Sequence, residues 1–156
     1  MTATRYAWAS LWLALVLVLG TAYFASQQTG ALLLPFLKTL TPGASSAELQ
    51  ATHLVVRKLG HLAEYAVLAL LWFRALVKVR GRTPHTAASM ALCICLVCAV
   101  VDETHQATIP TRTESVRDVV IDACGAAGML ILVRGRQRQR DGAAPATGAA
   151  AAEPTE

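Results

Sequence analysis

Four apolar blocks constrain this chain more than any other feature. They run roughly over 7–25, 59–77, 86–101 and 116–133, and polar segments separate them. Each approaches the length of about 20 residues that carries an α-helix across a bilayer. Hydrophobic residues make up 54% of the chain and mean hydropathy is +0.46, too apolar for a domain that must present a polar surface to water. Lipid offers no hydrogen bonds to exposed backbone, so a chain of this kind satisfies its peptide groups within helices. The expectation is an all-α polytopic membrane protein, a four-transmembrane-helix bundle. One domain covers 1–134, with helices at about 7–25, 59–77, 86–104 and 116–133. Residues 135–156, rich in Ala, Pro and Gly from Gly142 onward, are expected to form a disordered cytoplasmic tail.

The first block could be a cleavable signal peptide. Trp8 and Trp12 at one edge and Tyr23 and Phe24 at the other favour a retained helix anchored at both interfaces. Between the first two spans, "ALLLPFLKTL" is broken by Pro35 and reads as an interfacial or re-entrant segment.

Orientation follows from the basic residues. Nine Lys and Arg fall on the side that holds both termini and the second loop, and five on the other. The positive-inside rule puts both termini in the cytoplasm. The net charge of +4 and pI near 9.1 therefore reflect residues flanking the spans, next to membrane lipids, and nucleic acid is not an expected partner.

The segment "VDETHQATIPTRTESVRDVVID" raises a harder problem, because it sets acids inside or against apolar runs, where charge is costly. The uncharged stretch 86–101 has 16 residues. At about 1.5 Å per residue it covers about 24 Å of a hydrocarbon layer about 30 Å thick. Asp102 and Glu103 thus reach the outer interface. Asp122 has only 11 uncharged residues after it, 123–133, and must dip below that boundary or be sheltered. The second span brings Arg57, Lys58, His61, Glu64 and Tyr65 to the same level. His61, Glu64 and Tyr65 stand at i, i+3, i+4, and Asp118 and Asp122 at i, i+4, so each set shares a helix face. These groups are expected to satisfy one another in an outward-facing polar cluster, with Arg112 projecting into it from the turn at Pro110 and Thr111. Gly125 and Gly128 are expected to let helices approach closely. Cys93, Cys95 and Cys98 in "CICLVC" read as small packing residues, and His53 and His85 as solvent-facing loop residues.

Four segments together resemble the VanZ-like family of small bacterial membrane proteins, named after an accessory protein of teicoplanin resistance. "YFASQQ" is similar to the family's Ser-Gln segment at the end of helix one, and "RKLGHLAEYAVLALL" to its Lys-x-x-His-x-x-x-Tyr motif. "DETHQATIPTR" resembles its Asp-Glu-x-x-Gln…Pro-x-Arg element, and "RDVVIDACGAAG" its Asp-x-x-x-(Asn/Asp)-x-x-Gly-x-x-Gly motif. The matching polar positions are Ser26, Gln27, Lys58, His61, Tyr65, Asp102, Glu103, Gln106, Arg112, Asp118 and Asp122. Thr111 replaces a frequent Gly, and Asp122 a frequent Asn, which adds an acid. The resemblance implies a multi-pass protein of the bacterial cytoplasmic (inner) membrane with a link to antibiotic resistance.

Several functions fit the cluster. In an enzyme acting on a lipid-linked cell-envelope substrate, Glu103 or Asp122 would be the acid/base group with His61 sharing the proton work. Lys58, Arg57 and Arg112 would hold a phosphate or carboxylate, and Tyr65, Gln106, Asp102, Asp118 and Glu64 would complete the site. A scaffold or binding protein would use the same groups to hold a glycopeptide antibiotic or assist envelope enzymes. Ion pairs that only fix helix registry, or a proton-coupled transporter, complete the alternatives. Four short helices suit transport only in an oligomer. Neither metal nor cofactor is expected: no H-E-x-x-H motif is present, although the acids with His61 and His105 would suit a hard cation better than zinc.

Overall fold

A computed structural model describes residues 3–21, 26–79, 81–108 and 116–143. Among them the chain is all-α, with five helices: α1 (Ala3–Leu19), α2 (Ser26–Leu40), α3 (Ser46–Val77), α4 (Pro84–Ala107) and α5 (Val116–Ala143). The stretch around Pro35, expected as an interfacial or re-entrant segment, is a helix of 15 residues that carries the proline inside it. Consequently Ser26 and Gln27 open α2 instead of closing the first helix. That helix ends at Leu19, earlier than expected; Tyr23 and Phe24 lie outside the described residues.

α3 is the organising element and packs against each of the other four helices. It is also much longer than the apolar block, because it starts at a capping box. Ser45 accepts from the Glu48 N–H while the Glu48 carboxylate accepts from the Ser45 N–H at 2.8 Å. This satisfies amides that a bare helix start leaves open. The 32 residues span about 48 Å, well beyond a hydrocarbon core of about 30 Å. α5 likewise runs on to Ala143, so the first nine residues expected in the tail continue the helix; those from 144 lie outside the described residues.

The buried faces have helical periodicity. α3 contributes Tyr65, Leu68, Ala69, Phe73 and Leu76, and α4 contributes Ala88, Ala91, Cys95 and Ala99. α5 adds Ala126 and Leu130, and Val16 of α1 completes the centre. Small residues along α4 bring its backbone close to its neighbours. Trp12 of α1 donates its indole N–H to the Glu64 carbonyl at 3.0 Å, and Tyr6 stacks beside Trp72 with ring centroids 6.1 Å apart.

Large apolar side chains are common on the surface, and a few polar ones are buried. Trp8, Leu11, Leu15, Val97, Val100, Val120 and Ile131 are exposed, whereas His53, Asp102, Gln106 and Asp122 are buried. Among the described residues α4 is the one helix long and apolar enough to cross a membrane by itself; α1 is apolar but shorter, at 17 residues.

Candidate functional site

The faces that bury small residues deliver polar groups at one end of the bundle. On α4 the stripe Ala91, Cys95, Ala99 continues into Asp102 and then Gln106, both buried. On α5 the stripe Leu130, Ala126 leads back to Asp122 and Asp118, one turn apart at each step. On α3 the face of Leu68 leads back to Tyr65 and His61. α3 and α5 run parallel, so their polar residues meet in register. Lys58 Nζ lies 2.7 Å from Asp118 Oδ1, and His61 Nδ1 lies 3.2 Å from Asp122 Oδ1. Gly125 allows this, since a Cβ there would collide with the Leu62 carbonyl. Gly128, expected to do the same, faces open space.

The two pairs differ in environment. Lys58 keeps 46% of its side chain exposed, and a pair so placed contributes at most about 1 kcal/mol. Asp122 is 1% exposed. Its Oδ1 and the facing His61 Nδ1 are close enough for an ion pair when the imidazole is protonated. The ring N–H is poorly aimed, however, and neither atom has a hydrogen-bond partner among the described residues. The Tyr65 hydroxyl, buried one turn along, is in the same condition. A buried hydroxyl left without a hydrogen bond forfeits about 1–3 kcal/mol of solvation. On the α4 side the polar groups are joined: Gln106 Nε2 donates to Asp102 Oδ2 at 2.8 Å.

A cavity of about 150 Å³ opens beside these groups. Arg57, Gly60, His61 and Glu64 line it from α3, Asp102 and Gln106 from α4, Leu19 and Gly20 from the end of α1, and Thr29 from α2. Gly20 lies against Asp102, and a Cβ there would force the Asp102 carboxylate to shift. Thus the structure gathers Arg57, Lys58, His61, Glu64, Tyr65, Asp102, Gln106, Asp118 and Asp122 at one end. Glu103 is half-buried and lies outside the cavity lining, which its neighbour Asp102 enters instead. Arg112 falls outside the described residues. No three His, Cys, Asp or Glu among the described residues converge as a metal site would require. Gly20, Gly60 and Thr29 belong to the cavity without any spacing signal; only packing reveals them.

His53 corrects the expectation of a loop residue. It lies in α3, is 5% exposed, and contacts Thr29 Oγ1 at 3.2 Å through Nε2. It pins α2 to α3. His85 is exposed in the first turn of α4.

The sequence profile of the family described as VanZ/LLP1 matches residues 8–136. The chain belongs to the VanZ/LLP1 family. The match takes in most of α1, all of α2 to α4 and most of α5, and with them the described residues of the polar end. No curated protein and no solved structure matches the chain.

Proposed function

We propose that this VanZ-like protein crosses the bacterial inner membrane four times, through α1, α3, α4 and α5, with both termini cytoplasmic. Its polar end faces outward and engages the charged group of a cell-envelope lipid-linked substrate or of a lipophilic glycopeptide antibiotic. The observation that carries this reading is the enclosed His61–Asp122 pair beside a cavity that Arg57 and Asp102 also reach. With Asp122 facing Nδ1, the other ring nitrogen of His61, Nε2, is left to exchange a proton with a ligand. Arg57 supplies a planar donor for a phosphate or carboxylate. Lys58 is already engaged by Asp118, so its part is to hold α3 and α5 in register. Arg112, four residues before Val116 in the sequence, is a further candidate donor for the same anion.

The membrane reading has its own physical support. From His61 to Lys78 the bundle measures about 25 Å along α3, close to the hydrocarbon thickness of about 30 Å. Between those levels the exposed side chains are largely apolar.

The same geometry supports a second reading, a non-catalytic scaffold or binding protein, since Lys58–Asp118 and Gln106–Asp102 are already satisfied internally. One experiment separates the two. Full-length protein in nanodiscs is incubated with a lipid-linked wall precursor or teicoplanin, and bound ligand and product mass are both followed. Turnover lost in Asp122→Asn and in His61→Gln supports an enzyme. Saturable binding without a product, weakened in the same variants, supports the scaffold. Ligand handling unchanged in both variants overturns the site.

A further inference from the structure

At the other end of the bundle lies a second cavity, of about 240 Å³, between the C-terminal turns of α3 and α5. Arg74 and Lys78 reach it from α3, Arg136 and Arg140 from α5, each pair one turn apart. No acid lines it among the described residues, whereas the cations of the first cavity are balanced by Glu64 and Asp102. Its wall toward the middle of the bundle is apolar, with Phe73 and Val133. Gln137 adds a specific feature: its Oε1 is buried there without a hydrogen-bond partner among the described residues, an acceptor waiting for a donor.

The sequence explains why the cations converge here. In "RGRQRQR" the arginines recur every second residue, which on a helix sends them to two opposite faces. Arg134 and Arg138 line a separate groove toward α4, and Arg136 and Arg140 turn to α3. Among the described residues, only the α3 side meets a second pair of cations. Basic residues near a helix C-terminus also complement the helix dipole, but that effect needs no shared cavity and favours neither face.

We propose that this cavity binds a polyol phosphate, the chemistry of an anionic phospholipid headgroup or of free glycerol phosphate. The four cations take the phosphate, Gln137 Oε1 accepts from a headgroup hydroxyl, and the apolar wall receives the start of the acyl chains. The inference rests on the bundle lying in a bilayer but on no role for the opposite end. Vesicle flotation of the wild-type protein tests that premise separately.

The binding test uses full-length protein in neutral detergent, with native mass spectrometry to read bound phosphatidylglycerol against phosphatidylcholine. The double variants Arg136→Gln/Arg140→Gln and Arg134→Gln/Arg138→Gln remove the same charge from the same helix on opposite faces. Arg136, Arg138 and Arg140 are exposed and Arg134 is half-buried, so folding is expected to be preserved, as flotation and circular dichroism will report. The first variant is expected to lower phosphatidylglycerol affinity about tenfold, equivalent to about 1.4 kcal/mol, and the second less than about twofold. Displacement of the lipid by millimolar glycerol phosphate assigns the site to a soluble ligand as well; failure to displace assigns it to lipid. Equal losses in the two variants, or none in either, overturn the proposal, because diffuse positive charge would then explain all binding.

Discussion

Gly125 and Gly128 look alike in sequence, each set in an apolar helix three residues apart, and the structure separates them. A Cβ at 125 meets the backbone of Leu62, while one at 128 meets nothing. Alanine gains the same helix propensity at both positions, up to about 1 kcal/mol, so their difference isolates packing. Gly125→Ala is expected to be less stable than Gly128→Ala by about 1–3 kcal/mol, the usual cost of overpacking. Reversible unfolding in mixed micelles reads this directly, and equal stabilities would mean that α3 and α5 do not touch there. His53 gives a second prediction of the same kind. Burial, and to a lesser degree the nearby Arg57, push its imidazole below the ordinary value of 6.5. The unfolded chain then binds more protons than the folded one in that range. The stabilising contribution is full above pH 6.5 and is lost as pH falls through the lowered folded value. Melting temperature should therefore drop on acidification in the wild type and drop less in His53→Gln; parallel slopes would remove His53 from the balance. Residues of both kinds were half legible in the sequence. His61, Tyr65, Asp118 and Asp122 announced themselves by helical spacing, but Gly20, Thr29 and the burial of His53 depend on contacts between helices that no local pattern encodes.

Helix starts and ends were legible where local chemistry wrote them and were misread where hydropathy alone was followed. The start of α3 is the case in point. Hydropathy begins near Leu59, yet "SSAE" at 45–48 is a capping-box signature, and the helix begins there. Thirteen residues separate the two readings, and they carry His53, Arg57 and Lys58. The cap at Ser45 thus opens the stretch that leads, about three turns later, to Arg57 in the cavity wall. Ser45→Ala removes an acceptor for the Glu48 amide and is expected to cost about 1 kcal/mol of local stability. Because the loss falls on the first turns only, hydrogen exchange should rise over 46–52 and stay unchanged over 61–76. A uniform rise would mean that α3 unfolds as one unit. In α2 the break expected at Pro35 does not occur: the helix carries the proline in its interior and continues to Leu40, with Lys38 in the last turn to meet the dipole.

At the scale of the molecule, two charged levels bound one apolar body, and their separation along α3 fits a bilayer better than water. Glu64, Asp102, Asp118, Asp122 and His61 stand at one level; Arg74, Lys78, Arg136 and Arg140 stand at the other. If the bundle spans the membrane, the positive-inside rule assigns the second level to the cytoplasm, and Thr108 at the end of α4 then lies outside while Gly81 before α4 lies inside. Alkaline phosphatase folds to its active form only after export, where its disulfides are made. A fusion after Thr108 is expected to be active and one after Gly81 inactive. Moving the basic level should test the cause as well as the result. Replacing Arg74, Lys78 and Arg82 with Gln weakens the cytoplasmic anchor of the loop before α4, so activity should begin to appear in the Gly81 fusion. Activity after Gly81 in the unaltered chain would invert the protein. It would turn the His61–Asp122 pair to the cytoplasm, leaving envelope lipids and extracellular glycopeptides without access to it.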